Sequence, residues 1–250
     1  MTNVQPPRFS IITVTFNAGK VLEDTIMSVI AQTYKGIEYI IVDGGSKDNT
    51  LDIVHKYKEH IAQAISEPDK GLYDAMNKGI RMATGDYLCF LNAGDKLHDF
   101  NTLLQITETL KDKELPDVIY GETAIVDEGG NFLHMRRLST PEQLNWKSFK
   151  QGMLVCHHAF LAKRELALKE LYDLQYRFSA DFDWCIRIMK KAKFLHNTRL
   201  TLIDYLNEGM TTRNHKASLK ERFRIMAKHY GWVSTILYHG WFVIRLFYKK

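Results

Sequence analysis

The sequence predicts an α/β protein with a mostly parallel central sheet and a helical C-terminal extension. Three observations point there. The first hundred residues alternate short apolar runs with stretches whose apolar positions recur at helical spacing, the order that gives parallel strands joined by right-handed crossovers. The runs themselves, such as Tyr39-Ile-Ile-Val42 and Tyr87-Leu-Cys-Phe-Leu91, lack polar alternation, as strands buried on both faces do. The last stretch, Lys216 to Lys250, mixes basic and aromatic residues in helical segments.

Phe9 to Thr15 is rich in β-formers and reads as the first strand, with Phe16-Asn-Ala-Gly19 as its turn. Val21, Leu22, Ile26, Val29 and Ile30 fit the buried stripe of a helix ending near Gln32. Tyr39 to Val42 is the second strand and ends in Asp43-Gly-Gly-Ser-Lys-Asp48. Asn49-Thr50 opens the next helix, and Ile61 to Ile65 forms a third, short strand. Glu67, Pro68, Asp69 and Gly71 make a turn-prone approach. Leu72, Ala75, Met76, Gly79, Ile80 and Ala83 then give a helix one apolar or small-residue face. Thr84-Gly85-Asp86 breaks it, and the strand Tyr87 to Leu91 runs straight into Asn92-Ala-Gly-Asp95. Open α/β sheets keep their ligand crevice at the carboxyl ends of strands. One or two carboxylates there suffice to hold a hard divalent cation that bridges phosphates.

The second half is patterned differently. Leu103 to Leu110 looks helical and Val118 to Tyr120 looks like a strand. Glu122 to Val126 and Phe132 to Met135 flank Asp127-Glu-Gly-Gly130, a hairpin signal. Leu144 to Phe149 is weakly patterned, and Val155 to Leu161 is apolar around His157-His158. A helix starts in Phe178-Ser-Ala-Asp-Phe-Asp-Trp184 and runs to about Lys191; Leu200 to Tyr205 reads as one more strand, and Asn207 to Arg213 as a polar loop.

With 250 residues, 45% apolar and 25% charged, the chain has the composition of a soluble globular protein with a substantial core. A net charge of +5 suits an anionic partner such as a nucleotide or a phospholipid surface; no nucleic-acid partner is expected. Cys89, Cys156 and Cys185 are far apart and in no CxxC spacing, which argues against a disulfide scaffold or zinc site and for a reducing compartment. The N-terminus lacks the basic-then-apolar pattern of a signal peptide, so a cytoplasmic location is expected.

Five stretches carry a family likeness: Ser10-Ile-Ile-Thr-Val-Thr-Phe-Asn17, Ile41-Val-Asp-Gly-Gly-Ser-Lys-Asp48, Asp69-Lys-Gly-Leu-Tyr-Asp-Ala-Met-Asn-Lys-Gly79, Gly85-Asp-Tyr-Leu-Cys-Phe-Leu-Asn-Ala-Gly-Asp95 and Ala180-Asp-Phe-Asp-Trp184. In this order the chain resembles the large bacterial family two of inverting glycosyltransferases, with the Rossmann-like GT-A fold. The resemblance implies a nucleotide-sugar donor, most often a UDP-sugar, a divalent metal (Mn2+ or Mg2+), inversion at the anomeric carbon, and a glycan or lipid-linked acceptor in surface polysaccharide synthesis. It divides the chain into a glycosyltransferase domain, 1–215, and C-terminal helices, 216–250. Residues 1–97 form the nucleotide-binding half of the domain and 98–215 the acceptor half.

On the matching positions, Asp43 would contact the base or ribose, with Thr15 and Asn17 lining the same pocket; a turn or cap role is the plain alternative for Asp43. Ser46 and Asp48 would shape that loop and cap the helix. Asp69, Lys70 and Gly71 precede a helix N-terminus, which favours a diphosphate; solvated loop charges are the plain alternative, for Lys70 above all. Asp74, Asn77 and Lys78 lie within one turn, where they meet the ribose or a neighbouring loop, or form a salt-bridged surface. Asp95 would be the metal ligand, with Asn92 orienting sugar or water, or else a turn residue without a ligand; Gly94 stands where the family carries a second acid. Asp181 matches the catalytic base, although Ala180 replaces the family's Glu. Asp183 is its rival, or an ion-pair partner of Arg187 four residues on. Trp184 packs under the acceptor sugar or in the core. His157 and His158 resemble a polar pair near the acceptor, or are structural, without a third ligand for zinc. Glu122 and Arg213 would reach sugar hydroxyls or phosphate.

The C-terminal apolar run falls short of the ~20 residues a spanning helix needs. Basic residues with Trp and Phe suit a helix lying on the cytoplasmic face of the inner membrane, and equally a helix packed on the domain or a dimer contact. Two other functions fit parts of the pattern. A nucleotidyltransferase shares the α/β half but needs a Gly-rich basic loop after the first strand, which Phe16-Asn-Ala-Gly19 supplies poorly. Gly94 and Ala180 would also suit a catalytically impaired nucleotide- or glycan-binding relative.

Overall fold

The computed structural model describes residues 5–111, 113–207 and 215–248. Strands β1 (Phe9–Thr15), β2 (Ile37–Asp43), β3 (Gln63–Ser66) and β4 (Tyr87–Phe90) are parallel in the order 3-2-1-4, joined by helices α1 (Leu22–Ile30), α2 (Thr50–Lys56) and α3 (Leu72–Met82). All seven residues of β1 and all four of β4 are buried, so the unbroken apolar runs are the centre of the sheet.

The second half extends this sheet with strands of mixed direction. Short β5 (Lys96–Leu97) and helix α4 (Thr102–Thr109) precede β6 (Val118–Val126) and β7 (Phe132–Met135). Then come β8 (Phe160–Lys163), α5 (Arg164–Lys169), α6 (Ala180–Lys191) and β9 (Leu195–Leu206). The full order is 3-2-1-4-8-6-9-5, with β7 on β6. β8 runs antiparallel between β4 and β6, whereas β6 and β9 are parallel. The two pieces expected on either side of Gly121 are one strand, and β9 begins five residues earlier than its apolar run. The register of β9 on β6 slips where Arg199 adopts φ 59°, and the strand resumes beyond it.

The sheet is covered on both faces. One core gathers α3, α6 and the C-terminal helices around Ile12, Phe90, Phe160 and Trp184; the other gathers α1, α2 and α4 around Ile11, Tyr39, Tyr87 and Leu103. Helix α3 lies so close to β1 that a Cβ on Gly79 would meet Ile12 Cγ2 at 2.5 Å, which accounts for that glycine. At the sheet's other end Glu38 accepts hydrogen bonds from Ser10 Oγ (2.5 Å), Thr84 Oγ1 (2.6 Å) and the Thr84 amide (2.7 Å). Burial alone would raise its pKa; these donors outweigh it and hold it low.

The chain ends in α7 (His215–Tyr230) and α8 (Trp232–Tyr248), turned back on each other at Gly231, φ 82°. Among the described residues no helix is long and apolar enough to cross a membrane.

Candidate active site

The carboxyl ends of β1, β2, β3 and β4 open on one crevice. Asp43, at the end of β2, is 1% exposed and organises the loop beyond it. Its Oδ2 accepts the amides of Gly45 (3.0 Å) and Ser46 (2.9 Å) and the Ser66 hydroxyl (2.6 Å), while Oδ1 accepts Ser46 Oγ at 2.5 Å. The turn role is thus realised, and any nucleotide contact uses what lone-pair capacity remains on Oδ1. Asn17 adopts φ 48°, its amide bonded to Ser46 Oγ and its Oδ1 to the Lys47 amide, so the loops after β1 and β2 are tied together. Thr15 Oγ1 is buried there without a hydrogen-bond partner. Asp48 binds the Thr50 amide and hydroxyl and the Gly19 amide, which fixes the start of α2.

Asp69 leans over this loop. A Cβ on Gly44 would fall 2.5 Å from Asp69 Oδ2 and 3.3 Å from the ring of Phe16, so the glycine makes room for both. Phe16 is 62% exposed at this mouth, a stacking surface that sequence reading did not single out. Asp69 Oδ1 accepts the Gly71 amide and Asp74 Oδ2 the Lys70 amide, which leaves the Lys70 ammonium in solvent at the start of α3. Lys78 is committed elsewhere: it pairs with Glu67 (2.9 Å) and the Pro68 carbonyl (3.1 Å), stapling the approach to α3. Asn77 is buried and clamps both backbone groups of Tyr172.

Asp95 follows β4 in a turn closed by its amide on the Asn92 carbonyl. Its Oδ1 accepts the Leu206 amide at 2.9 Å. Its Oδ2 lies 3.0 Å from His158 Nδ1, at ion-pair distance but without hydrogen-bond geometry, and Asn92 Oδ1 is likewise buried and unpartnered. Gly94 has φ 103°, and a Cβ there would meet Leu206 at 3.1 Å. The missing second acid is therefore a demand of this turn's backbone. Among the described residues no three His, Cys, Asp or Glu side chains form a ready cation cage. The donor types present nevertheless fit a cation shared with phosphates: a carboxylate oxygen and an imidazole nitrogen 3.0 Å apart, neither hydrogen-bonded to the other, and a carboxamide oxygen without a hydrogen-bond partner on the same turn as Asp95.

Asp181 sits in the first turn of α6 and is partly exposed, with Tyr73 Oη donating to its Oδ1 at 3.1 Å. An aromatic chain joins it to Asp95. Tyr73 stacks on Tyr172, Tyr172 on Trp184, the Tyr172 hydroxyl meets His157 Nε2, and His158 stacks on Tyr205. Burial raises the pKa of Tyr205, and the negative charges of Asp95 and Asp181 raise it further. Through Tyr73, Tyr172, His157 and His158 a continuous run of side-chain contacts links Asp181 to Asp95, so both carboxylates border one aromatic layer. Arg222 of α7 bears on the same corner: its guanidinium lies over the Phe182 ring and its charge opposes the rise of the Tyr73 pKa.

Other candidates are placed elsewhere. Asp183 is fully buried, bound by Arg187 Nε (2.6 Å), His229 Nε2 (2.8 Å) and Lys228 Nζ (3.3 Å). Burial would raise its pKa, yet the His229 and Arg187 hydrogen bonds and the Arg187 and Lys228 charges carry it far below the usual carboxylate range. It is an ion-pair hub joining α6 to α7, with no face toward an acceptor. Trp184 is 0% exposed and belongs to the core beneath the cleft. His157 lies in the same aromatic layer, where burial first and His158 second depress its pKa well below 6.5 and keep it neutral. Glu122 accepts the Thr140 amide at 2.9 Å and holds the 138–142 segment to β6. Arg213 lies outside the described residues. All three cysteines are free thiols.

Residues 10–172 match the family described as glycosyl transferase family 2. A PGL/p-HBAD biosynthesis glycosyltransferase of Mycobacterium tuberculosis is 36% identical over 206 residues, 81% of this chain and 77% of that protein. The S. aureus TarS structure in complex with UDP-GlcNAc superposes with a TM-score of 0.72 at 17% identity over 88% of this chain, which spans 64% of the TarS chain. The mannosyltransferase PcManGT from Pyrobaculum calidifontis, in complex with GDP-Man and Mn2+, gives 0.63 at 16% identity over 94% of this chain and 74% of its own. These two likenesses concern the fold. The match over residues 10–172 and the mycobacterial relative show that the chain belongs to glycosyl transferase family 2 and is a glycosyltransferase with the GT-A fold.

Proposed function

We propose that the protein transfers a hexose or N-acetylhexosamine from a nucleotide sugar, a UDP-sugar by preference, to a glycan or lipid-linked acceptor with inversion at the anomeric carbon. The observation that carries this reading is the run of side-chain contacts from Tyr73, which donates to Asp181, through Tyr172 and His157 to His158, 3.0 Å from Asp95. Residues 1–97 supply the donor side and 98–215 the acceptor side. Phe16 offers a face for the base, and Thr15, Asn17 and Asp43 edge the nucleoside pocket. Lys70, at the start of α3, and the N-terminus of that helix favour the diphosphate.

Asp95 Oδ2, His158 Nδ1 and Asn92 Oδ1 would hold a divalent cation together with the donor's phosphates. When bound, that cation offsets the negative charge building on the departing diphosphate. Asp181 takes the proton of the acceptor hydroxyl as its oxygen forms the bond to C1 and the bond from C1 to the diphosphate oxygen breaks. The nucleoside diphosphate leaves with the electron pair. General-base help of this kind is worth ~10²–10⁴ in rate. Tyr73 fixes the carboxylate's direction through its hydrogen bond, and Trp184 and His157 give that layer a rigid floor. The two departures from the family motif do not argue for lost catalysis: Gly94 answers a positive φ, and Ala180 is fully buried where a Glu would lose solvation.

The test is turnover of a panel of UDP- and GDP-sugars with bacterial lipid extracts and oligosaccharides, with manganese, with magnesium and with chelator. Transfer from one UDP-sugar, abolished by chelation and giving the inverted anomer, is expected. Binding of no nucleotide and hydrolysis of no donor would end the reading.

A further inference from the structure

Among its described side chains, helix α8 meets the protein on one side and leaves an apolar face on the other. Thr235, Tyr238, His239 and Phe242 face inward: Thr235 is fully buried, Tyr238 and Phe242 pack on the core, and the His239 ring lies 4.8 Å from that of Phe223 on α7. At 100° per residue the opposite face carries Trp232, Val233, Ile236, Leu237, Trp241 and Ile244. These six are 65%, 75%, 59%, 68%, 54% and 45% exposed, and Leu219 of α7 adds another at 46%. A soluble monomer rarely shows a contiguous apolar patch beyond a few hundred Å². An uncovered apolar helix face of this size belongs against a partner or against lipid.

Charge decides between those. Residues 215–250 contain eight Lys and Arg and a single acid, Glu221, a net +7 in a chain whose total is +5. Glu221 does not face outward: its carboxylate accepts the amides of Arg177, Phe178 and Ser179 at 2.8–2.9 Å. Lys216, Lys220 and Arg224 are exposed one turn apart on α7, beside Leu219. An apolar face with two tryptophans, with exposed cations on the neighbouring helix and no free carboxylate among the described residues of the hairpin, matches the interface of an anionic bilayer, where the acyl boundary takes the apolar side chains and the headgroups take the cations.

We infer that the α7–α8 hairpin docks on an anionic phospholipid surface, with the outer face of α8 in the headgroup–acyl boundary. The hairpin is bolted to the helix that bears Asp181. Glu221 caps the chain leading into α6, and Lys228 and His229 hold Asp183 on α6 itself. Docking therefore fixes the orientation of α6 to the membrane, and this last consequence alone rests on the transferase reading above.

The experiment is co-sedimentation of the full chain with vesicles of phosphatidylcholine alone and of phosphatidylcholine with phosphatidylglycerol, with tryptophan emission recorded alongside. Partition into the anionic vesicles with a blue shift is expected, weakened at least tenfold by Leu237→Glu with Trp241→Glu. Lys216→Gln, Lys220→Gln and Arg224→Gln together should weaken it by roughly tenfold or more. Both variants keep the wild-type melting temperature and soluble nucleotide binding, because the altered side chains are exposed. Three results would overturn the inference: no binding to anionic vesicles, equal binding to neutral ones, or a solution dimer abolished by the Leu237/Trp241 variant. The last would assign this face to a second copy of the chain. None depends on whether a sugar is transferred.

Discussion

The Tyr73 hydroxyl, from α3, donates to Asp181 Oδ1, from α6, across 3.1 Å and 108 residues of sequence. Tyr73 is buried, and both burial and the negative charge of Asp181 raise its pKa well above 10, so it remains a donor at any working pH. A carboxylate acting as base needs one lone pair aimed at the acceptor; this bond fixes which oxygen is left for it.

Tyr73→Phe removes the donor with little change of shape. Hydrogen bonds to charged groups are worth ~1.5–3 kcal/mol, so kcat is expected to fall roughly tenfold to a hundredfold while donor KM stays near wild type. Steady-state kinetics with saturating donor check it. An unchanged kcat would make the tyrosine a packing residue only.

Gly94→Asp restores the acid that the family motif carries, yet should not improve metal binding. Its φ of 103° and the 3.1 Å approach of Leu206 to the new Cβ oppose any side chain. Left-handed strain of this kind costs on the order of 1–3 kcal/mol, or roughly 2–4 °C of melting temperature per kcal/mol for a chain of this size. Thermal melts and manganese titration of the variant measure both effects. Tighter manganese binding without loss of stability would refute this reading of the turn.

Acid should destabilise the protein in two stages. His157 has a folded pKa well below its unfolded ~6.5. Its contribution is therefore complete above about pH 6.5 and is lost as pH falls, by up to about 1.4 kcal/mol per pH unit. Asp183 is a depressed carboxylate, so its contribution is present above its unfolded pKa and disappears only as pH falls toward the strongly lowered folded value. His157→Gln should flatten the first stage and leave the second. Melting temperature against pH for the two proteins is the measurement, and parallel curves down to pH 5 would contradict it.

Much of this was legible in the residues because the first half is built from local signals. Apolar runs such as Tyr39 to Val42 are strands since they are buried on both faces, and the aspartates that end or follow them mark the crevice. The second half depends on partners far away in sequence. β5 is two residues held by β9, β6 passes through Gly121, and β9 continues beyond a bulge at Arg199; none of these has a local pattern of its own. In the site, Asp181 and Asp183 look equivalent in sequence. They lie two positions apart on α6 and so point to opposite sides, one to the cleft and one to Arg187 and α7. The i,i+4 spacing of Asp183 and Arg187 was the one cue that separated them. Tyr73, Tyr205 and Phe16 escaped notice because an aromatic residue reads as core until its hydroxyl's partner or its exposed face is known.

The most direct measurement is single-turnover transfer by Asp181→Asn, with nucleotide affinity and melting temperature determined on the same preparation. If Asp181 removes the acceptor proton, transfer falls by ~10²–10⁴ while nucleotide binding and melting stay at wild-type values. Transfer within a few-fold of wild type would place the base elsewhere and remove the chemical role assigned to this cleft.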